Sequence, residues 1–98
     1  MESPTTLPTV KVSFPGALHT RVGNRASTMA SGRTVREIID ALDQDFPGLR
    51  FNLCYETGEL RPYVNIFLNR ENIRYLHGLD TQIATGATLV IMQSVAGG

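Results

Sequence analysis

The sequence is short of the residues on which several classes of protein depend. It has one cysteine, Cys54, among 98 residues. A single cysteine cannot form an internal disulfide, and it cannot supply the thiolates that hold an iron–sulfur cluster. The two histidines, His19 and His77, lie far apart in the chain, whereas zinc needs three or four converging ligands. We therefore predict no resident metal, and we interpret Cys54 as a buried structural residue.

The chain also lacks an excess of charge of either sign. Nine basic and nine acidic residues give a formal net charge of zero. A protein that binds nucleic acid normally carries a basic surplus to neutralise phosphates, so we expect no nucleic-acid partner. Lysine is nearly absent, because Lys11 is the only one and arginine supplies the other positive charges. Since lysine is the usual acceptor when small modifier proteins form chains, this composition argues against self-conjugation.

Long apolar runs are missing too. No stretch approaches the roughly 20 residues that are needed to span a bilayer, so a membrane partner is not expected. The first residues lack the basic start and the apolar core of a signal peptide, which favours a cytoplasmic location. A chain of 98 residues supports a single hydrophobic core. We expect one domain over residues 1–98, with a loose lead-in at residues 1–8 and a flexible tail at residues 93–98.

Period-two alternation predicts a hairpin at the start of this domain. Val10, Val12 and Phe14 alternate with polar residues, as in a half-buried strand. The polar segment from Leu18 to Arg25 is typical of a turn. A second strand is predicted over residues 26–30.

A helix is predicted between Thr34 and Phe46. Thr34 is a favourable N-cap, and Glu37 three residues later completes a capping box. Apolar residues then recur at helical spacing on one face: Val35, Ile38, Ile39 and Leu42. Pro47 and Gly48 end the helix, and residues 49–53 are predicted as a further short helical turn.

The second half of the chain predicts three strands. Residues 63–68 are rich in aromatic and β-branched side chains and should form a central strand. Residues 69–72 are typical of a hairpin loop, and residues 73–75 would be the returning strand. We expect a helical turn at residues 79–83 and the last strand at residues 88–92.

This order of elements indicates an α+β fold with one main helix packed on a mixed sheet of four to five strands. A β-grasp, or ubiquitin-like, arrangement satisfies the order. Its first and last strands lie parallel at the centre of the sheet. The last strand would then lead directly into the C-terminal tail.

The tail carries the candidate chemistry. It runs Gln93-Ser94-Val95-Ala96-Gly97-Gly98, without a charge or a large side chain. A terminal Gly97-Gly98 can pass through a narrow channel and place the Gly98 carboxylate in another protein's active site. Ala96 and Val95 would contact the walls of that channel. Two terminal glycines arise by chance in about one chain in two hundred, so the pair gains weight from the fold pattern that precedes it.

Several motifs together resemble a known family. The hairpin from Tyr63 to Arg74 has the pattern VNxxxNxxxxR, and Gly78, Gly86 and the Val-Ala-Gly-Gly ending follow at matching places. The chain thereby resembles the ThiS/MoaD superfamily of ubiquitin-like sulfur carriers from about residue 10 onward. Within it, the resemblance is greatest to the carrier of the thiocarboxylate-dependent cysteine pathway. Related carriers often have an acidic residue at Ala87 and a proline near residue 94, where this chain departs from them.

The resemblance implies a chemistry for Gly98. An E1-like adenylyltransferase would use ATP to adenylate the carboxylate, and a sulfur donor would then displace AMP and leave a thiocarboxylate. The carrier would be a protein co-substrate rather than an enzyme, with no bound cofactor. In the cysteine pathway a PLP-dependent sulfhydrylase would accept the sulfur, and a zinc-dependent JAMM-type peptidase would release the product.

The resemblance also places partner contacts on the exposed sheet face beside the tail. Arg61, Arg74 and Phe67 are therefore candidate docking residues. The sulfur could instead serve thiamin, molybdopterin or a specialised metabolite, and the chain could be a molybdopterin synthase small subunit. Two further alternatives are a protein modifier conjugated through Gly98 and a β-grasp interaction module with an inert tail.

Overall fold

The computed structural model describes residues 7–94. Residues 1–6 of the predicted lead-in and residues 95–98 of the predicted tail lie outside this range. The strands are β1 (Thr9–Ser13), β2 (Ser27–Ser31), β3 (Val64–Leu68), β4 (Glu71–Asn72) and β5 (Thr88–Gln93). The helices are α1 (Val35–Asp45) and α2 (Leu49–Leu53), with 3-10 helices at Gly16–Val22, Ile73–Tyr75 and Gly78–Asp80. None of these helices is long and apolar enough to cross a bilayer.

The five strands form one mixed sheet in the order β2-β1-β5-β3-β4. β1 and β5 are parallel, with Lys11 opposite Thr88, and the other neighbours are antiparallel. Parallel neighbours require a crossover connection, and the whole chain between β1 and β5 provides it. The predicted pairing of the first and last strands at the centre of the sheet is confirmed, as is the β-grasp fold class.

α1 begins and ends close to the predicted positions. The Thr34 hydroxyl accepts a hydrogen bond from the Glu37 backbone N–H at 3.2 Å, which confirms the N-cap. The Glu37 carboxylate accepts from the backbone N–H of Arg33 at 2.8 Å, so the return arm of the capping box is displaced by one residue. The apolar face predicted for this helix is buried: Val35, Ile38, Ile39 and Leu42.

Gly32 sets how closely β2 and α1 approach each other. A Cβ added at Gly32 would lie 2.9 Å from the Glu37 Cβ and 3.0 Å from the Ile38 backbone nitrogen. Real Cβ atoms essentially never come within 3.0 Å of another heavy atom, so the contact with the Glu37 Cβ would force a shift. The connection from the sheet to the helix therefore depends on the absence of a side chain at this position.

The two faces of the sheet have different surroundings. Alternate side chains of the three inner strands are buried against the helices: Val10, Val12, Val64, Ile66, Leu89 and Ile91. The side chains between them, such as Lys11, Phe67 and Met92, lie on the other face and are partly or fully exposed. One face of the sheet therefore forms the core, and the other remains open.

The segment predicted as a turn between the first two strands is instead a 3-10 helix over Gly16–Val22. Leu18 and Val22 lie four residues apart and are both buried. Because the residues around them are mostly polar, the spacing of these two residues did not indicate a helix in the sequence. The segment therefore closes one end of the core, whereas we predicted an exposed turn.

The strand that returns after β3 lies earlier in the chain than the predicted residues 73–75. β4 covers Glu71–Asn72, and the predicted strand at Ile73–Tyr75 is a 3-10 helix. The Asn72 side chain accepts a hydrogen bond from the Arg74 backbone N–H at 2.9 Å and caps that helix. The hairpin loop is consequently only Asn69 and Arg70, whose φ angles are 49° and 77°.

Candidate functional site

The structure fixes the backbone up to the start of the tail. Gln93, the last residue of β5, is opposite Val64 of β3. The Ser94 backbone N–H then donates to the Tyr63 carbonyl at 2.8 Å. The predicted tail residues, Val95, Ala96, Gly97 and Gly98, lie outside the described residues. Four residues span at most about 14 Å when fully extended, which is the greatest distance that Gly98 can lie from Ser94.

An apolar hollow lies on the open face of the sheet beside this exit. Phe67 of β3 is opposite Val90 of β5, and Met92 follows on the same face with 51% of its surface exposed. The hollow has a volume of about 580 Å³. We call it the open-face hollow, and its lining residues are Phe67, Asn69, Arg70, Thr88, Val90 and Met92. The strand that leads to the tail thus also supplies half of this surface.

Arg74, a predicted docking residue, is engaged with the protein's own backbone. Its Nη2 donates to the Val64 carbonyl at 2.6 Å and to the Arg61 carbonyl at 2.9 Å. Its Nε donates to the Asn65 side-chain oxygen at 3.4 Å. These bonds hold the segment that enters β3, where Tyr63 receives the bond from Ser94. Arg74 therefore supports the tail exit, and its docking role stays a prediction.

Arg61 forms a separate cluster with two aromatic rings. Its guanidinium carbon lies 5.1 Å from the ring centroid of Phe51 and 4.7 Å from that of Tyr55. Its Nε also donates to the Phe51 carbonyl at 2.9 Å. The structure thus brings Arg61 close to Arg74, whereas Phe67 belongs to the open-face hollow. A docking role for Arg61 also stays a prediction.

Val90 and Met92 are the site residues that sequence reasoning missed. They occupy alternate positions of β5 with Thr88, while Leu89 and Ile91 between them are buried. The alternation in β5 was visible in the sequence. The sequence did not reveal the register between β3 and β5, which places Val90 opposite Phe67.

Cys54 and the two histidines are not among the residues that line the open-face hollow. Cys54 is 3% exposed and lies in a β-bridge with Leu60, which confirms that it is buried. Burial raises the pKa of its thiol, and the nearby Arg36 and Arg50 oppose that effect only in part. Between residues 7 and 94, no group of three or more histidine, cysteine or acidic side chains could hold a metal ion.

Comparison with known proteins gives consistent matches. The sequence model of the ThiS family matches residues 12–98. The sulfur carrier protein CysO of Mycobacterium tuberculosis (strain ATCC 25618 / H37Rv) is 37% identical over 91 residues, which cover 91% of this chain and 98% of that protein.

Two solved structures extend these matches. A chain in the crystal structure of the Amycolatopsis orientalis BexX/CysO complex superimposes with a TM-score of 0.85 and 38% identity, covering 91% of this chain and 99% of that one. Small archaeal modifier protein 1 from Methanosarcina acetivorans superimposes with a TM-score of 0.83 and 27% identity, covering 96% and 100%.

Proposed function

The chain belongs to the ThiS family and is a homologue of sulfur carrier proteins, and from this premise we propose that it carries sulfur as a thiocarboxylate on Gly98. An E1-like adenylyltransferase activates the tail: a carboxylate oxygen of Gly98 attacks the α-phosphate of ATP and releases pyrophosphate. A sulfur nucleophile then attacks the acyl carbon and expels AMP. The catalytic groups belong to the partner enzymes, and this chain is their protein substrate.

The observation that carries the proposal is the position of the tail exit. β5 lies in the middle of the sheet, between β1 and β3, and is held on both sides by backbone hydrogen bonds. A short tail that starts from such a strand has a fixed point of departure, which favours accurate delivery of its terminal carboxylate. The open-face hollow beside the exit offers apolar surface against which an enzyme can align the carrier.

We place the carrier in cysteine or related thiol biosynthesis. The support is its 37% identity to the sulfur carrier protein CysO over nearly the whole of both chains. In this proposal a PLP-dependent sulfhydrylase binds an activated serine, and the thiocarboxylate sulfur replaces the activated hydroxyl group, so that a thioester joins the carrier to the new cysteine. The cysteine amine then attacks the Gly98 carbonyl carbon and displaces the sulfur, which converts the thioester to an amide. A zinc-dependent JAMM-type peptidase then cleaves the amide between Gly98 and the new cysteine.

The open-face hollow is the proposed docking surface for the adenylating enzyme. We expect Phe67→Ala to lower kcat/KM for adenylation of the carrier about tenfold, because a partly buried aromatic contact is a typical interface anchor. Pyrophosphate release measured over a range of carrier concentrations checks this. Tyr75→Ala is the matched control, since Tyr75 is 87% exposed and is not among the residues that line the hollow. Equal kinetics for the two variants would remove Phe67 from the interface.

Arg61 and Arg74 need a different comparison. Charge reversal at Arg74 also removes its bonds to the Arg61 and Val64 carbonyls, so its stability must be measured in parallel. Arg61→Glu leaves the carbonyl that Arg74 contacts in place, but it removes the bond to the Phe51 carbonyl, so the stability of this variant is measured as well. Slower adenylation of Arg61→Glu at unchanged stability supports its docking role, and unchanged kinetics oppose it.

A protein modifier is the second candidate, favoured by the likeness to small archaeal modifier protein 1. In that case the activated Gly98 is joined to an amine of another protein rather than to sulfur. A self-conjugate could use only Lys11 or the N-terminal amine.

The mass of the intact protein tests the sulfur-carrier proposal. The carrier is incubated with its adenylating enzyme, ATP and a sulfide source, and its C-terminal peptide is then mapped. We expect one oxygen of Gly98 to be replaced by sulfur, and no replacement in a variant that lacks Gly98. Mapping is required because oxidation of a methionine or of Cys54 adds nearly the same mass. An unmodified C-terminus, with an enzyme that is active on another carrier, contradicts the proposal.

A further inference from the structure

β2 forms one edge of the sheet and, among the residues that the structure describes, lacks the usual protection of an edge strand. Natural edge strands are protected by lysines, prolines, bulges or short length. The five residues of β2 are Ser-Thr-Met-Ala-Ser, without a charge or a proline. Its pairing with β1 runs without a bulge from Ser27 to Ser31. The opposite edge strand, β4, has only two residues. Of the two sheet edges that the structure describes within residues 7–94, the β2 edge is therefore the one long and regular enough to pair with another strand.

The hydrogen-bond pattern identifies which groups of β2 face outward. Phe14 donates to the Ala26 carbonyl at 2.9 Å, and Gly32 donates to the Pro8 carbonyl at 3.0 Å. These flanking bonds mean that the even-numbered residues of β2 bond to β1. The backbone N–H and C=O groups of Ser27, Met29 and Ser31 thus point away from the sheet. No strand within residues 7–94 pairs with that side of β2.

Two arginines flank this edge. Arg25 lies two residues before β2, with its guanidinium carbon 5.9 Å from the ring centroid of Phe46, and Arg33 lies two residues after the strand; both residues are exposed. If two copies paired antiparallel about Met29 to use the full strand, the register would bring Arg25 of each copy level with Arg33 of the other, just beyond the ends of the paired strands. Like charges directly opposite each other destabilise a strand pair. The edge is therefore matched to a strand with acidic residues at both ends rather than to a second copy of itself.

We propose that β2 binds an extended segment of a partner protein by antiparallel strand addition. The segment carries β-branched residues opposite Ser27, Met29 and Ser31, and acidic residues opposite Arg25 and Arg33. In such complexes the main-chain hydrogen bonds provide affinity and the flanking side chains provide specificity. This surface is separate from the open-face hollow, and binding to it does not require a thiocarboxylate at Gly98.

A synthetic peptide tests the proposal directly. The probe is acetyl-Glu-Ser-Val-Thr-Val-Thr-Val-Ser-Glu-amide, titrated into the isotope-labelled full chain and followed by amide chemical shifts. We expect the largest shifts, and new protection from hydrogen exchange, at Ser27, Met29 and Ser31. The same peptide with lysine at both ends should bind about fivefold more weakly, because each exposed charge pair contributes little.

Two substitutions of Met29 separate main-chain pairing from side-chain contact. Met29→Pro removes the N–H that points away from the sheet, but it breaks no hydrogen bond to β1. Proline is tolerated in an edge strand when its nitrogen faces solvent. Met29→Ala keeps the N–H. We expect Met29→Pro to weaken binding of the acidic peptide at least about tenfold, and Met29→Ala to change it less than about threefold.

A double variant avoids any change within the strand. Arg25→Glu with Arg33→Glu should prefer the lysine-ended peptide, which keeps the test valid if Met29→Pro fails to fold. Equal binding of both peptides by the wild-type chain overturns the proposal, as do shifts centred on Phe67 and Met92. Protection of the Ser27, Met29 and Ser31 amides from hydrogen exchange in the absence of peptide would also overturn it. Residues 1–6 or a second copy of the chain would then cover the edge.

Discussion

At the scale of single residues, Gly32 shows how a missing side chain determines a packing distance. We expect Gly32→Ala to lower the free energy of unfolding by about 2 kcal/mol, because its Cβ would overlap the Glu37 Cβ and the Ile38 backbone. Gly16→Ala is the matched control, since a Cβ there meets nothing within 4 Å and should change stability by about 0.5 kcal/mol or less. Urea unfolding measures both variants. Similar losses for the two would contradict this account of Gly32.

Because Cys54 is buried, we expect the stability of the protein to depend on pH. Burial raises the pKa of its thiol, so the folded protein keeps the thiol protonated where the unfolded chain begins to ionise, above about pH 8.5. This contribution to stability is complete below that pH and is lost as the pH rises through the folded-state value. The difference in unfolding free energy between the wild type and Cys54→Ala should therefore shrink from about pH 7 to about pH 10. Measurements under reducing conditions check this, and a constant difference would be contrary to it.

At the scale of elements, local patterns predicted most of the fold. Capping by Thr34 and the apolar spacing of α1 were confirmed because both arise within a few residues. The 3-10 helix at Gly16–Val22 was missed because only two buried residues mark it. In the candidate site, Phe67 was named because the family resemblance places partner contacts on the exposed sheet face, and the tail was named from its terminal glycines; the roles of both stay predictions. Val90 was not named, because its contact with Phe67 depends on a pairing between distant strands.

The hairpin loop between β3 and β4 offers a stabilising substitution. Both loop residues have positive φ, and the Asn69 side chain also accepts a hydrogen bond from the Thr88 N–H at 3.0 Å. Such two-residue turns favour Asn-Gly, whereas this chain has Arg70 in the second place. We expect Arg70→Gly to raise the free energy of unfolding by about 0.5 to 1 kcal/mol, measured by urea unfolding. A loss of stability would mean that the arginine side chain contributes more than its backbone strain costs.

At the scale of the whole molecule, the fold is completed by its last strand. β5 contributes the buried Leu89 and Ile91 and pairs with strands on both sides. A chain that ends after Ala87 should therefore show no cooperative unfolding by circular dichroism. A chain that ends after Ser94 is the matched control, and it should unfold cooperatively within about 0.5 kcal/mol of the full chain while accepting no sulfur. Cooperative unfolding of the shorter chain would refute this role of β5.

The parallel pairing of β1 and β5 also has a mechanical consequence. A partner that grips the tail and draws it inward pulls along the axis of β5. The paired positions from Lys11–Thr88 to Ser13–Val90, and those with β3 on the other side, then bear the load together in shear. A strand loaded in this way cannot be peeled off one hydrogen bond at a time. If a partner enzyme holds the protein by its last residues, as proposed, the folded body should therefore stay intact under that tension.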